Sequence, residues 1–263
     1  MNIALYGTGR AAGALGIALT NAGHAIVALD GRSRAGIEAL ADLIDVEVGE
    51  PDLRIIAVSD DAIEQVATTL ARTGPKIDTV HVSGAVSIDA LGALASTSVQ
   101  VGSFHPLQTL PDARSGAERL AGAWIGITAD EPLRRRLNDL ATSIGCRPFD
   151  VDDAVKPLYH AAAAATANFT LAVLELAKDL FEAAGIPFDT ARPLLEATVA
   201  NAFALGPRGA LTGPIARGDV ATVIRQAAAV RDALGERSGD FEGLVALTAR
   251  MAGTDDRFTG ALG

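Results

Sequence analysis

The sequence contains one cysteine and few basic residues, and both shortages exclude classes of protein. Cys146 alone cannot form an intrachain disulfide or a thiolate metal cage, so we predict no metal site. The 22 basic residues are outnumbered by 32 acidic ones, and the resulting net charge of −10 disfavours binding to nucleic acid. We therefore expect a small molecule as the ligand.

Long apolar runs are also missing. The alanine-rich stretch 155–169 is interrupted by Lys156, His160 and Asn168, which argues against a membrane span. The N-terminus enters a strand-like segment without the basic region and apolar stretch of a signal peptide. These features favour a reducing cytoplasm as the location and predict no membrane partner.

The order of the predicted elements indicates two domains. Over residues 1–151, short β-branched runs alternate with amphipathic helical stretches, which predicts an α/β, Rossmann-type, doubly wound and mostly parallel sheet. Over residues 152–263, long helical stretches follow without another strand, and we predict an all-α domain for substrate binding and dimerisation. The apolar helix at 161–177 is more than one such domain can bury, so a homodimer is expected.

The segment "YGTGRAAGALG" follows the first predicted strand and opens a helix. It matches the dinucleotide fingerprint, with Gly7 for the tight turn and Gly9 for close approach of a pyrophosphate. Arg10 and Ala12 belong to the helix start, whose amides offer a positive dipole end to the phosphates, and Ala12 occupies the third glycine position. The alternative is a tight strand-to-helix turn without a ligand.

The second predicted strand ends in "ALDGRSR", which bears on the choice of nicotinamide cofactor. Asp30 suits the ribose hydroxyls of NAD, whereas Arg32, Ser33 and Arg34 suit the 2'-phosphate of NADP. Two arginines and a hydroxyl favour NADP, with Asp30 either pointing away from the ribose or capping the turn. The alternative for both arginines is an ordinary solvated loop.

Polar residues follow three further predicted strands at the edge where ligands bind in this fold. Ser59 and Ser83 are candidate cofactor contacts, and His105 and Gln108 are candidate substrate contacts. For His105, a structural imidazole beside a turn proline is an equal alternative. His81 lies inside a strand and is predicted to be a core residue.

Lys156 and His160 are separated by about one helical turn in "VKPLYHAAAAATANF", so they share a helix face. A lysine at a helix start opposes the dipole there, which favours a general acid or an anion-binding role. The alternative is a surface lysine at a domain joint.

In "ALTGPIARGD", Thr212 and Arg217 are candidates for binding a substrate carboxylate, and for Arg217 a salt bridge is equally compatible.

Together, "GTGRAAGALG", "AVSDDAI", "HVSGA", "FHPLQT", "KPLYHAAAAATANF" and "LTGPIARGD" resemble, over nearly the whole chain, the bacterial Rossmann-like and DUF2520 proteins. These belong to a wider group with ketopantoate reductases, pyrroline-5-carboxylate reductases and 6-phosphogluconate dehydrogenase-like enzymes. The resemblance implies a helical C-terminal domain that often builds a dimer, and NADP-linked reduction at an interdomain cleft.

The resemblance to ketopantoate reductases also suggests roles for individual residues. Lys156 matches their catalytic lysine, while His160 stands where they have an asparagine, and Thr212 is similar to their hydroxyl residue near the substrate carboxylate. We therefore expect an NADPH-dependent reductase of a small 2-oxo acid such as ketopantoate, with Lys156 as proton donor and His160 orienting the substrate or assisting. The alternative for His160 is that it competes with Lys156 as the proton donor. The alternatives are an imine reductase, a 3-hydroxyacid dehydrogenase, or a non-catalytic NADP(H) sensor.

Overall fold

The computed structural model describes residues 1–96 and 98–258, and its contacts divide the chain into two units, Met1–Ala167 and Asn168–Gly263. Among the described residues, the last strand ends at Asp150 and helices follow it. The contact boundary lies further along the chain than residue 151. The reason is that Lys156 and Tyr159, on the next helix, make hydrogen bonds to residues of the sheet domain.

The first unit is built on one seven-stranded sheet in the order β2-β1-β3-β4-β5-β6-β7. Only the β5–β6 pair is antiparallel, which confirms the predicted mostly parallel Rossmann-type sheet. The strands are β1 (Asn2–Tyr6), β2 (Ala25–Asp30), β3 (Leu53–Ile56), β4 (Asp78–His81), β5 (Val101–Leu107), β6 (Trp124–Thr128) and β7 (Arg147–Asp150).

Helices pack against this sheet with their apolar faces. Leu15 and Leu19 of the first helix bury against Leu5 and Ile55, which alternate with residues facing the opposite side of the sheet. The helices of this unit are α1 (Arg10–Asn21), α2 (Arg34–Ala41), α3 (Ile63–Thr73), α4 (Ala113–Leu120), α5 (Leu133–Ser143) and α6 (Lys156–Thr166).

The strand order creates a switch point between β1 and β3. The chain passes from β1 to β2 on one side and then returns to place β3 on the other side of β1. In an open parallel sheet, the crevice at the carboxyl ends of two such strands is the place where ligands bind. The glycine turn after β1 and the segment after β3 therefore meet at the edge that the fold reserves for a ligand.

The second unit is helical over its described residues. Its core contains Val223, Val245, Ala249 and Phe258. The helices are α7 (Asn168–Ala183), α8 (Arg192–Leu205), α9 (Pro207–Ala210), α10 (Pro214–Arg217), α11 (Val220–Leu234), α12 (Ser238–Ala252) and α13 (Asp255–Phe258). No helix among the described residues is long and apolar enough to cross a membrane.

The sequence pattern predicts one long helix from residue 156 to residue 185. This prediction is wrong, because α6 ends at Thr166 and α7 starts at Asn168. The Thr166 hydroxyl donates a hydrogen bond to the carbonyl of Ala162, a pattern that bends helices. Ala167 then leaves ideal helical geometry, with φ −101° and ψ −66°. The break separates the part of this segment that touches the sheet from the part that belongs to the second unit.

Candidate active site

The glycine turn after β1 has the geometry of a phosphate-binding loop. Gly7 has φ +122°, and a Cβ there would lie 2.1 Å from the carbonyl oxygen of Ala57, so only glycine fits. Gly9 precedes α1 with open space around its Cβ position, and no side chain caps the helix. The first-turn N–H groups of α1, from Arg10 and Ala12 among others, are therefore available to an anion.

The residues after β2 divide between local structure and ligand binding. Asp30 accepts a hydrogen bond from the N–H of Gly31 at 2.7 Å, as expected for a carboxylate that caps its own turn. Ser33 caps α2 by accepting from the Gly36 N–H at 3.1 Å, and Arg34 pairs with Glu38 at the surface. Arg32 is exposed and forms no ion pair with a described residue, so its role in binding a 2'-phosphate stays a prediction.

Lys156 is buried, contrary to the surface alternative, with a relative exposure of 1%. Its ammonium donates to Ser103 Oγ at 2.7 Å and to the carbonyl of Ser83 at 3.1 Å, near the carboxyl end of β4. Burial lowers the pKa of Lys156 to about 8, although the carboxylates of Asp153 and Asp60 oppose this shift. The amine is therefore charged at neutral pH and more acidic than an ordinary lysine.

The loop after β4 is fastened to the start of α6. The Ser83 hydroxyl accepts from the N–H groups of Ala85 and Val86, at 3.1 and 3.0 Å. Asp153 accepts from the Ser87 hydroxyl at 2.5 Å and from the Ile88 N–H at 3.0 Å. These bonds hold the Ser83 carbonyl in position to receive the Lys156 ammonium.

His81 supports the same loop from the core. It is fully buried, and its Nδ1 accepts from the N–H of Ser83 at 3.1 Å. Its Nε2 is buried without a hydrogen-bond partner among the described residues. Burial, followed by the charge of Lys156, lowers the pKa of His81 to about 4, so this imidazole is neutral beside the lysine.

His105 lies at the centre of an aromatic cluster next to the lysine. Its Nδ1 is 2.7 Å from the Tyr159 hydroxyl, and its ring meets the exposed His160 edge to face, with centroids 6.0 Å apart. Burial lowers its pKa to about 4, with smaller contributions from His160 and Lys156. Sequence reasoning missed Tyr159, although its position three residues after Lys156 places both on neighbouring positions of one helix.

The remaining predicted residues lie outside this cluster or in the second unit. Ser59 is exposed and precedes a 3₁₀ turn without capping it. Gln108 is exposed after β5, and its Oε1 accepts from the Thr109 N–H at 2.8 Å. Thr212 and Arg217 are exposed residues of the second unit and stay predictions. The structure thus brings together Lys156, His160, His105 and Ser83, all within the first unit.

Comparison with known proteins supports the resemblance. Residues 123–239 match the family model "Domain of unknown function (DUF2520)". No curated protein matches the chain.

Solved structures share its fold. A presumptive NADP oxidoreductase from Bacteroides fragilis is 23% identical, with 97% of this chain and 98% of that chain covered and a TM-score of 0.80. A protein from Thermotoga maritima is 22% identical, with 95% and 99% covered and a TM-score of 0.78. The reductive aminase from Aspergillus terreus, solved with NADPH and ethyl levulinate, is 17% identical, with 98% and 99% covered and a TM-score of 0.68. The chain therefore has a Rossmann-type sheet, and its residues 123–239 match the DUF2520 family model.

Proposed function

We propose that the protein is an NADPH-dependent oxidoreductase that reduces the C2 carbonyl of a small 2-oxo acid, with ketopantoate as the first candidate. The observation that supports this most is the buried ammonium of Lys156, at the sheet edge that also carries the glycine turn. A perturbed lysine beside a predicted cofactor site is the arrangement that proton transfer to a reduced carbonyl requires. Similarity in fold to two proteins whose names include NADP oxidoreductase or NADPH is consistent with this proposal.

The residues at the switch point fit a dinucleotide phosphate. The open space at Gly9 and the uncapped start of α1 suit a pyrophosphate, and the unpaired charge of Arg32 suits a 2'-phosphate. NADPH, when bound, supplies a hydride ion to the substrate carbon. The residues proposed to hold it are Gly7, Gly9, Arg10, Ala12, Arg32, Ser33, Arg34, Ser59 and Ser83.

Lys156 supplies the proton in this proposal. Negative charge develops on the carbonyl oxygen during reduction, and the Nζ of Lys156 stabilises that charge and donates a proton to it. Two of its N–H groups are held by Ser83 and Ser103, which orients the third. Because burial lowers its pKa to about 8, this ammonium releases a proton more readily than a solvated lysine.

A second candidate is the reduction of an imine on the same scaffold, favoured by the likeness in fold to a reductive aminase. The test follows the oxidation of NADPH by absorbance, with ketopantoate, other 2-oxo acids and cyclic imines as substrates. The reverse reaction, the reduction of NADP, is measured with 3-hydroxyacids. Saturable turnover of a 2-oxo acid supports the proposal. Turnover of imines alone would replace the proposed reaction with imine reduction, and turnover of 3-hydroxyacids alone would replace it with 3-hydroxyacid dehydrogenation. Tight NADPH binding without any turnover would favour a sensor.

The cofactor preference predicts the effect of removing Arg32. Arg32→Ala is expected to raise the Kd for NADPH about tenfold and to leave the Kd for NADH unchanged, because only NADPH carries the phosphate that the guanidinium would bind. Titration calorimetry with both cofactors measures this. Arg135→Ala is the matched control, since it removes an exposed arginine on α5. Equal losses for both cofactors would refute the assignment of Arg32.

We also propose that the protein is a homodimer. Large apolar side chains are exposed along α7 and α8, and that of Phe203 is 87% exposed. Such a surface is typical of a contact between subunits. The other large apolar side chains exposed on these two helices are those of Phe169, Leu171, Val173, Leu194, Val199 and Leu205. Light scattering after size exclusion is expected to give twice the chain mass, and a monomer at micromolar concentration would contradict the proposal.

A further inference from the structure

Tyr159 packs against residues of three neighbouring strands, β5, β6 and β7. In the sheet register, His105 of β5 lies opposite Gly126 of β6, which lies opposite Phe149 of β7. The Tyr159 ring meets His105 and Phe149 edge to face, with centroids 5.5 and 5.9 Å apart. A Cβ at Gly126 would lie 3.1 Å from the Tyr159 hydroxyl, so the glycine leaves the space that this hydroxyl needs. The phenol is therefore fixed between an imidazole and a phenyl ring.

The hydrogen bond between Tyr159 and His105 has a preferred direction. Burial raises the pKa of Tyr159 to about 12 and lowers that of His105 to about 4, so both groups are neutral at pH 7. If Nδ1 of His105 carried the proton, the tyrosine hydroxyl would need a second acceptor for its own hydrogen. No described residue other than His105 bonds to that hydroxyl. Donation by the tyrosine pairs both atoms with a single bond and needs no further protein partner, and this direction leaves the proton of the neutral imidazole on Nε2.

The Nε2 atom of His105 is free to meet a ligand. It forms no hydrogen bond with a described residue, and it is not among the fully buried polar atoms without a partner. Gly84, in the loop after β4, packs closely against the His105 ring, since a Cβ at Gly84 would lie only 2.6 Å from His105 Cε1. The imidazole is thus held by the loop after β4 and by α6, next to the Lys156 ammonium that lowers its pKa.

We propose that Tyr159 is a positioning residue that fixes His105 as its Nε2–H tautomer, so that this N–H donates to an oxygen of the substrate beside Lys156. The part that concerns the substrate rests on the proposed function. The ligand class is a carbonyl or carboxylate oxygen, because a neutral imidazole with an N–H on Nε2 offers a donor without a positive charge. His105 does not take up a proton in this role.

The tautomer can be tested in the free protein, independently of any activity. We expect ¹⁵N NMR of the imidazoles at pH 7 to show His105 with an unprotonated Nδ1 and a protonated Nε2, with its signals assigned by their loss in His105→Gln. In Tyr159→Phe, the population of the Nδ1–H tautomer is expected to rise, because the donor to Nδ1 is gone. A protonated Nδ1 in the wild type, or the same tautomer ratio in both proteins, would overturn the proposal.

The effect on turnover separates positioning from packing. Tyr159→Phe is expected to lower kcat about tenfold and to leave the Kd for NADPH unchanged, because the Nε2–H donor of His105 is then no longer held in place by the tyrosine. Gly126→Ala would place a Cβ 3.1 Å from the Tyr159 hydroxyl and 3.0 Å from Val151 Cγ2, so it crowds the hydroxyl without deleting it and is expected to act in the same direction. His24→Gln is the control, because His24 bonds to the chain N-terminus and Ser143 instead. Full activity in Tyr159→Phe would overturn the positioning role. If the NMR spectra show the predicted tautomers but the wild-type protein turns over no substrate, only the proposed reaction is contradicted.

Discussion

Replacing Lys156 by alanine is expected to lower kcat by about a hundredfold or more while NADPH still binds. The buried ammonium is the group placed to stabilise charge on the substrate oxygen, and this interaction is made most strongly in the transition state. Steady-state kinetics with the substrate found in the panel, together with an NADPH titration, measures both quantities. Near-normal turnover in a folded Lys156→Ala protein would refute the assignment of Lys156.

Lys156→Met separates the chemistry of this residue from its packing. Methionine has a similar length and no charge, so it fills the same space without leaving a cavity. If Lys156 is the acid, the methionine and alanine variants lose activity to a similar extent. Recovery of activity in Lys156→Met would show that the alanine variant failed because of packing, and not because a proton donor was removed.

The pH dependence gives an independent test of the same acid. A proton donor must be protonated, so kcat/KM, which reports the pKa values of the free enzyme, is expected to fall as the pH rises through about 8, the pKa of Lys156. The groups that bear on this amine are Asp153 on the preceding turn, Asp60 after β3, His81 on β4 and His105 on β5. Asp60→Asn removes a carboxylate that raises the pKa of Lys156, so the fall in kcat/KM should move to lower pH. An unchanged profile would contradict the role of Lys156.

The sheet could be predicted from the sequence because its signals are local. Most strands are short runs that contain β-branched residues, and the glycines of "YGTGRAAG" predict a strand, a tight turn and a helix in that order. The same applies to Asp30, whose capping role follows from the adjacent glycine turn. The end of α6 could not be predicted, because a run of alanines continues through the break at Ala167 without a glycine or proline.

The site was only partly predictable because its contacts depend on strand register. The spacing of Lys156 and His160 places them on one helix face, but it does not say whether that face is buried. The bond between His105 and Tyr159 joins residues 54 positions apart, and it exists because β6 is antiparallel to β5 and brings Gly126 opposite His105. The pattern of a single strand contains no such information.

Alanine at Gly7 is expected to destabilise the fold, whereas alanine at Gly9 is expected to weaken NADPH binding and leave the stability unchanged. Gly7→Ala would place a methyl group 2.1 Å from the Ala57 carbonyl at φ +122°, and the free energy of unfolding should fall by about 3 kcal/mol or more. Gly9 has φ −80° and nothing within 4 Å of its Cβ position, so Gly9→Ala should unfold at the same urea concentration as the wild type.

The binding of NADPH then decides what the turn is for. In Gly9→Ala the added methyl group lies where the backbone is proposed to approach the pyrophosphate, so the Kd for NADPH should rise about tenfold although the fold is intact. Urea unfolding and calorimetric titration on the same preparations measure the two effects. Wild-type affinity in a stable Gly9→Ala protein would mean that the glycines serve only a tight turn between β1 and α1. A loss of affinity without a loss of stability would assign Gly9 to the ligand and Gly7 to the fold.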